Sequence, residues 1–383
     1  MPGYRDKFFG PLWLLAGLSV SLLQGQNQFS GTVREAGTET PLAYVNIGLE
    51  GLSVGTVSDE TGQFWLLVPE EAAQAGAMLR ISSLGYATVS IPVESLAEGK
   101  PLDISLQPEA IALEEVVLSA LPAFSGEEIV GTPLENAHDF AYWKDSLALG
   151  AELASRIRVP RELRKLNAFF FQVLQNPADS LLLRLNIYNL PSSGEGMGEN
   201  LNKSGKSILY MLRGGIYGAA IDLEPFDIWV RDDFIASLEL LDVYGSDRIA
   251  LTLPAAQLVG GATYRRYASQ GKWEQIGAYE LGYNLQSTFY TDNAKRAENR
   301  KVVRRLQKTQ GMVQGFVFMG RRGQPDTRIR NLSTNVEART DSRGWYQLQA
   351  SPGDLLRITR PNGEYLTIKV EKIGNLTVNL NSR

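Results

Sequence analysis

The chain has 383 residues, 44% apolar and 21% charged, with a formal net charge of −4. That balance excludes wholesale disorder, argues against a nucleic-acid binder, and leaves room for two or three domains. Zero Cys excludes disulfides, thiolate metal sites and cysteine nucleophiles; a single His, His138, excludes multi-histidine metal sites. Glycine supplies 37 residues, about 10% against a usual ~7%, so many turns and short strands are expected.

Residues 1–26 read as a secretory signal peptide. Arg5 and Lys7 supply a basic start, residues 12–23 an apolar run, and Gly25 and Gln26 a small, polar exit. The run is too short for a membrane span, and no later run reaches 18 apolar residues. An exported protein with no transmembrane helix after signal removal is expected, in the periplasm or at the outer membrane or cell surface.

Short alternating stretches follow at 29–33, 43–49, 62–68, 78–82, 88–93 and 102–106, separated by turn clusters, the spacing of an antiparallel sandwich. The same layout returns over 313–380. Thr340-Asp341-Ser342-Arg343-Gly344-Trp345-Tyr346 answers Ser58-Asp59-Glu60-Thr61-Gly62-Gln63-Phe64, and Leu356-Arg357-Ile358 answers Leu79-Arg80-Ile81. In each Asp-x-x-Gly, the Asp caps a type I turn and the Gly takes the left-handed residue after it. Asp59, Gly62, Asp341 and Gly344 are therefore read as structural turn residues. The rival, a calcium loop, needs more spaced oxygen ligands than these turns offer.

Four motifs in order, Phe29-Ser-Gly-Thr-Val33, Pro41-Leu-Ala-Tyr-Val-Asn-Ile47, Gly55-Thr-Val-Ser-Asp-Glu-Thr-Gly-Gln-Phe64 and Ile81-Ser-Ser-Leu-Gly-Tyr86, resemble the carboxypeptidase-D regulatory-like domain. The resemblance implies a transthyretin-like β-sandwich of a kind common in exported proteins of Bacteroidetes-type bacteria. A second, weaker copy at 311–383 lacks the Ser-x-x-Gly-Tyr element. In TonB-dependent receptors of that group the domain precedes an extended TonB box. The run 113–120, with Leu113, Glu114, Glu115, Val116, Val117 and Leu118, resembles such a segment, and its chemistry suits addition to a sheet edge. These six residues are the candidate partner-binding site, the rival reading being a last strand plus linker. The 263 residues after Ala120 are too few for a plug and a 22-stranded barrel.

The expected plan is a signal peptide at 1–26, a regulatory-like domain at 27–107, and a linker at 108–150 holding the extended segment and a short helix at 139–147. A central, jelly-roll-like sandwich of unknown family follows at 151–292, a basic linker at 293–310 and the second regulatory-like domain at 311–383. The central region opens with a helical turn at 151–156. It then runs through strands at 168–174, 181–189, 207–212, 221–230, 235–244, 249–253, 264–268 and 279–290. A small outer-membrane barrel is the rival, but Arg184, Asp227, Glu239 and Arg265 break its apolar band. Seven bases and one acid lie between Lys295 and Lys308, a solvated linker or a contact for anionic envelope polymers.

Catalysis finds no support. The sequence has no Gly-x-Ser-x-Gly elbow and no Walker loop, and His138-Asp139 lies in a polar segment. The pairs Glu114/Glu115 and Asp232/Asp233 are adjacent, so on a strand they would face opposite sides. The expected protein is all-β, with no catalytic residues, cofactor or metal. It is an envelope binding or assembly module with an envelope protein partner, accessory to a transport or secretion complex. A glycan-binding protein using Trp229, Trp273 and Trp345 as stacking platforms is the alternative.

Overall fold

The computed structural model describes residues 26–74, 76–96, 99–109, 121–132, 139–143, 149–191, 197–214, 218–245, 250–297, 312–320, 322–332, 336–350, 354–371 and 374–380. The fold is all-β, built of packed sheets, with two short helices among the described residues, at Glu70–Gln74 and Ala294–Ala297. The signal-like segment 1–25, the run 113–120 and His138 lie outside the described residues, as does most of the basic stretch.

The first unit holds β1 (Gln26–Glu35), β2 (Asn46–Leu49), β3 (Gly55–Val57), β4 (Gln63–Pro69), β5 (Met78–Ser82), β6 (Val89–Pro92) and β7 (Leu102–Leu106). They form two sheets, β4-β1-β7 and β3-β2-β5-β6. Alternation explains the packing: Phe64, Leu66 and Val68 of β4 point inward while Gln63, Trp65 and Leu67 face out. Phe29, Val33, Ile47, Leu79, Ile81 and Ile104 complete this core.

The middle unit comprises β8 (Phe124–Gly131), β9 (Asp139–Tyr142), β10 (Glu152–Ile157), β11 (Leu163–Gln172), β12 (Ser180–Asn189), β13 (Ile208–Arg213) and β14 (Gly218–Asp222). It continues with β15 (Trp229–Val230), β16 (Phe234–Tyr244), β17 (Thr252–Gln257), β18 (Thr263–Arg266), β19 (Glu274–Gln275), β20 (Tyr279–Leu281) and β21 (Tyr283–Thr291). A six-stranded sheet, β13-β12-β16-β10-β18-β19, packs against β14-β11-β21-β8 and β20-β17-β9. Leu153, Leu183, Leu185 and Leu238 of the first meet Phe169, Phe171, Leu253 and Leu285 of the others. Among the described residues these sheets keep free edges around an apolar interior, so the unit is a sandwich and not a closed barrel.

Several expectations are corrected here. The helix expected at 139–147 is, over 139–142, strand β9, paired with β17. The helical turn expected at 151–156 is β10, the centre of the six-stranded sheet. Its Ala, Glu and Leu residues suit a helix by propensity, but pairing on both edges overrides that. The expected linker 108–150 contributes β8, which pairs with β21 along its whole length. The single strand expected at 221–230 is interrupted by a 3-10 turn at Glu224–Phe226, closed by Asp227 at φ 49°. The strand expected at 279–290 changes sheet at Gly282: β20 pairs with β17 and β21 with β11.

The third unit holds β22 (Met312–Met319), β23 (Arg322–Gly323), β24 (Arg328–Asn331), β25 (Glu337–Arg339), β26 (Trp345–Gln349), β27 (Leu355–Thr359), β28 (Tyr365–Lys369), β29 (Gly374–Asn375) and β30 (Val378–Asn379). Its connectivity repeats that of the first unit. Strand β22 is antiparallel to β26 and parallel to β29 and β30, as β1 is to β4 and β7; the second sheet is β25-β24-β27-β28. The agreement reaches single bonds. Val33 N donates to Gly62 O and Val317 N to Gly344 O, both at 2.8 Å. Val45 N donates to Ser58 Oγ at 2.9 Å, and Thr327 N to Thr340 Oγ1 at 2.8 Å. Tyr44 and Asp326 share a left-handed backbone, φ 56° and 52°.

Candidate functional site

The two Asp turns are built alike. Thr61 N and Gln63 N donate to Asp59 Oδ1 at 2.8 and 2.9 Å, with the Thr61 hydroxyl also at 2.8 Å. Arg343 N and Trp345 N donate to Asp341 Oδ1 at 2.8 and 2.9 Å. Gly62 and Gly344 sit at φ 78° and 85°, where a Cβ would lie 2.6 Å from a carbonyl oxygen of the neighbouring strand. One oxygen of each Asp, Oδ1, is thus spent on its own turn. Among the described residues, no group of three or more acids or histidines could hold a metal ion.

The chemistry-bearing cluster lies on the outer face of the six-stranded sheet, where alternation places Glu152 of β10, Arg184, Asn186 and Tyr188 of β12, Ser237 and Glu239 of β16, and Arg266 of β18. Glu152 and Glu239 are fully buried, and Arg184, Asn186 and Arg266 are less than a tenth exposed. Arg184 Nε donates to Glu239 Oε2 at 2.8 Å, and Asn186 Nδ2 to the same oxygen at 2.9 Å. Arg266 NH2 pairs with Glu152 and reaches Glu239 Oε1 at 3.5 Å. Ser237 and Tyr188 donate their hydroxyls to Glu152. The Arg266 guanidinium lies over the Trp273 ring, which meets Tyr188 edge-on.

The first unit closes this cluster. Arg184 NH1 donates to Tyr44 O at 2.9 Å and NH2 to Asn46 Oδ1 at 3.0 Å. Ser269 Oγ donates to Asn46 Oδ1, Gln270 Nε2 to Ser82 Oγ at 2.7 Å, and Gly51 N to Gln270 O. Gly48 and Gly55, a cross-strand pair, leave room for the Ser269 carbonyl, which would lie 2.1 and 2.2 Å from a Cβ at either position. An apolar seam of Val57, Leu182 and Leu241 runs alongside.

Burial pushes the Glu152 carboxyl up, more than Arg266 pulls it down. Burial also pushes Glu239 up, but Arg184, Arg266 and Asn186 outweigh it and hold that carboxyl low. Both carboxylates are fully buried and each is paired to a guanidinium, Glu239 to Arg184 and Glu152 to Arg266. The cluster belongs to the middle unit, and Arg184 carries it across the joint to Tyr44 O and Asn46 of the first.

The remaining expected residues are scattered. Asp232 and Asp233 bind Arg161 and Arg156 separately, at 2.6 Å each. Trp273 is half-buried, with the Arg266 guanidinium over its ring and Tyr188 edge-on. Trp229 packs on Tyr290, with Lys165 Nζ over its ring and bridged to Asp227 at 2.7 Å. Trp345 lies in the third unit, partly exposed. Arg296, from the start of the basic stretch, is folded against the middle unit on Glu128 and Glu162. Sequence reading missed the joint, although its signal was present: four sandwich strands carry two Glu and two Arg at positions of one face.

No helix among the described residues is long and apolar enough to cross a membrane. Solved structures give distant likenesses. One is the cysteine protease and lectin-like domains of a surface-layer-associated protein of Clostridium difficile, at 9% identity, TM-score 0.28, covering 40% of this chain and 36% of that one. Another is the major pilin subunit of Bacillus cereus, at 9% identity, TM-score 0.16, covering 93% and 99%. A third is the Gt strain of infectious bursal disease virus, at 10% identity, TM-score 0.20, covering 72% and 65%. No curated protein sequence matches the chain. Within it, residues 29–118, which span the first unit, match the CarboxypepD_reg-like domain family.

Proposed function

We propose that the protein is a non-catalytic binding or assembly module of the bacterial cell envelope, accessory to an outer-membrane transport or secretion complex. The observation that carries this reading is the joint. A buried ionic network of the middle sandwich reaches through Arg184 to Tyr44 and Asn46 of the regulatory-like domain, which supports a block of two units displayed together. Residues 311–383 are a second regulatory-like domain, a reading supported by the shared strand order and the shared Asp-x-x-Gly turn. The signal-like start supports export, and the segment Leu113–Leu118 is the proposed partner contact.

The test is crosslinking and pull-down of a tagged chain from native envelopes, with and without residues 113–120. Stoichiometric recovery of an outer-membrane component, lost on the deletion, is expected. A partner-free protein in the envelope fraction would overturn the accessory role, and unchanged recovery would remove 113–120 from it.

A further inference from the structure

The second sheets of the first and third units are equivalent, yet their outer faces differ. In the first unit this face carries Asn46, Gly48, Gly55 and Ser82 and is covered by the middle unit. In the third unit the matching positions are Arg328, Arg330, Glu337 and Thr359, flanked by Arg339, Arg357, Tyr365, Thr367 and Lys369. Here the face is open: Arg328, Arg339, Arg357, Thr367 and Lys369 are exposed, and Tyr365 is 63% exposed.

Register places like charges side by side. Arg328 is directly opposite Arg339, and Arg330 directly opposite Arg357. Such cross-strand pairs oppose folding of the sheet unless an anion sits between them. Glu337 and Asp326 offset part of the charge, on Arg330 and Arg339. The whole stretch leans the same way: residues 312–383 hold eleven Lys and Arg against six Asp and Glu, while residues 27–109 hold three against eleven. The Arg357 guanidinium lies 4.7 Å from the centre of the Tyr365 ring, setting a cation beside an open aromatic face.

We propose that this face, built on Arg328, Arg330, Arg339, Arg357, Tyr365 and Lys369, binds an anionic polysaccharide bearing carboxylate or phosphate groups. Guanidinium forks take such anions bidentately, and Tyr365 offers a flat face to a sugar ring. A stable protein interface has a largely apolar core, whereas this face sets four guanidinium groups around one exposed ring. The choice of a glycan over a nucleic acid rests on the envelope location proposed above; the binding itself does not.

The test measures binding of the purified chain to polygalacturonate, neutral dextran, polyglutamate and single-stranded DNA at low and high salt. Salt-sensitive binding of polygalacturonate and none of dextran is expected. The variant R328Q/R330Q/R339Q/R357Q should lose at least about tenfold in affinity, the scale of several lost charge-assisted contacts. Its melting temperature should hold or rise, because like-charge pairs are removed; a purely structural role would lower it. A K203A/K206A control on the middle unit should bind normally. No polygalacturonate binding, or equal binding by the quadruple variant, would overturn the site. Equal or tighter binding of polyglutamate or DNA would overturn the glycan assignment. Cell fractionation tests the location separately.

Discussion

Glu152 and Glu239 share one buried network that shifts their carboxyls in opposite directions. Burial, aided by the charge of Glu239, raises Glu152 against the pull of Arg266. In Glu239 the same burial is outweighed by Arg184, Arg266 and the Asn186 hydrogen bond. The signs follow from linkage. Glu239, lowered on folding, stabilises the fold above its unfolded value near 4.5, and that contribution is lost as pH falls through its folded value. Glu152, raised on folding, favours the fold most below 4.5 and progressively less as pH rises through its folded value. Glu239→Gln at neutral pH is therefore expected to cost about 3–5 kcal/mol, the scale of breaking a buried pair and stranding its charge. Glu152→Gln should cost clearly less, because folding shifts that carboxyl toward its neutral form, which Gln resembles. Urea denaturation at neutral pH reads the difference. Repeating it at falling pH below 4.5 should shrink the Glu239→Gln penalty, because the unfolded carboxyl takes up its proton first and the wild-type contribution fades toward the folded value. Equal costs for the two variants, or a penalty that grows in acid, would contradict this assignment.

Between elements, the contact of the first unit with the middle one depends on missing side chains. A Cβ at Gly48 or Gly55 would collide with the Ser269 carbonyl, a backbone atom that no rotamer change can move. Gly48→Ala is expected to cost about 1–3 kcal/mol, as overpacking does. Hydrogen exchange should then show the Gly51 amide, which donates to Gln270 O, losing protection while the Val33 amide inside the first unit keeps its own. Loss of protection at both would mean that the glycine serves the unit's own fold instead. The strands and Asp turns of the first and third units were legible in the sequence, because alternation and turn chemistry act over a few residues. Even where a motif is missing the physics persists. Tyr86 of the first unit donates to Glu35 at 2.7 Å, tying the β5–β6 turn to β1; in the third unit Arg360 donates to Leu380 O at 2.8 Å. The joint was not legible in that way. The alternation Leu183-Arg184-Leu185-Asn186 reads as one buried and one wet face, and the partner that dries the second face, Asn46, is 138 residues away. The strand β10 was misread for a related reason, since its pairing partners on β16 and β18 are remote in sequence.

At the scale of the molecule, the described residues form three separate apolar cores and one apolar seam, the latter between the first and middle units. That seam, the ionic joint and the glycine fit act together at one interface. The third unit is held differently: β29 runs near β14, with Gly374 next to the Phe170 ring, and no ion pair with the middle unit is found among the described residues. Units that share a buried face should unfold together, because separating them exposes the apolar seam and takes Tyr44 O and Asn46 away from Arg184. Calorimetry is therefore expected to resolve two transitions, one for the first and middle units jointly and one for the third. Arg184→Ala removes the side chain that spans the joint, giving up its bonds to Tyr44 O, Asn46 and Glu239 at once. That substitution should split the joint transition in two and lower the first unit's melting temperature, while the third unit's transition stays in place. A single transition for the whole chain would show coupling that the third unit's sparse contacts do not provide. A joint transition unsplit by Arg184→Ala would mean that the apolar seam alone holds the first unit, with the buried ions specifying its orientation and not its strength.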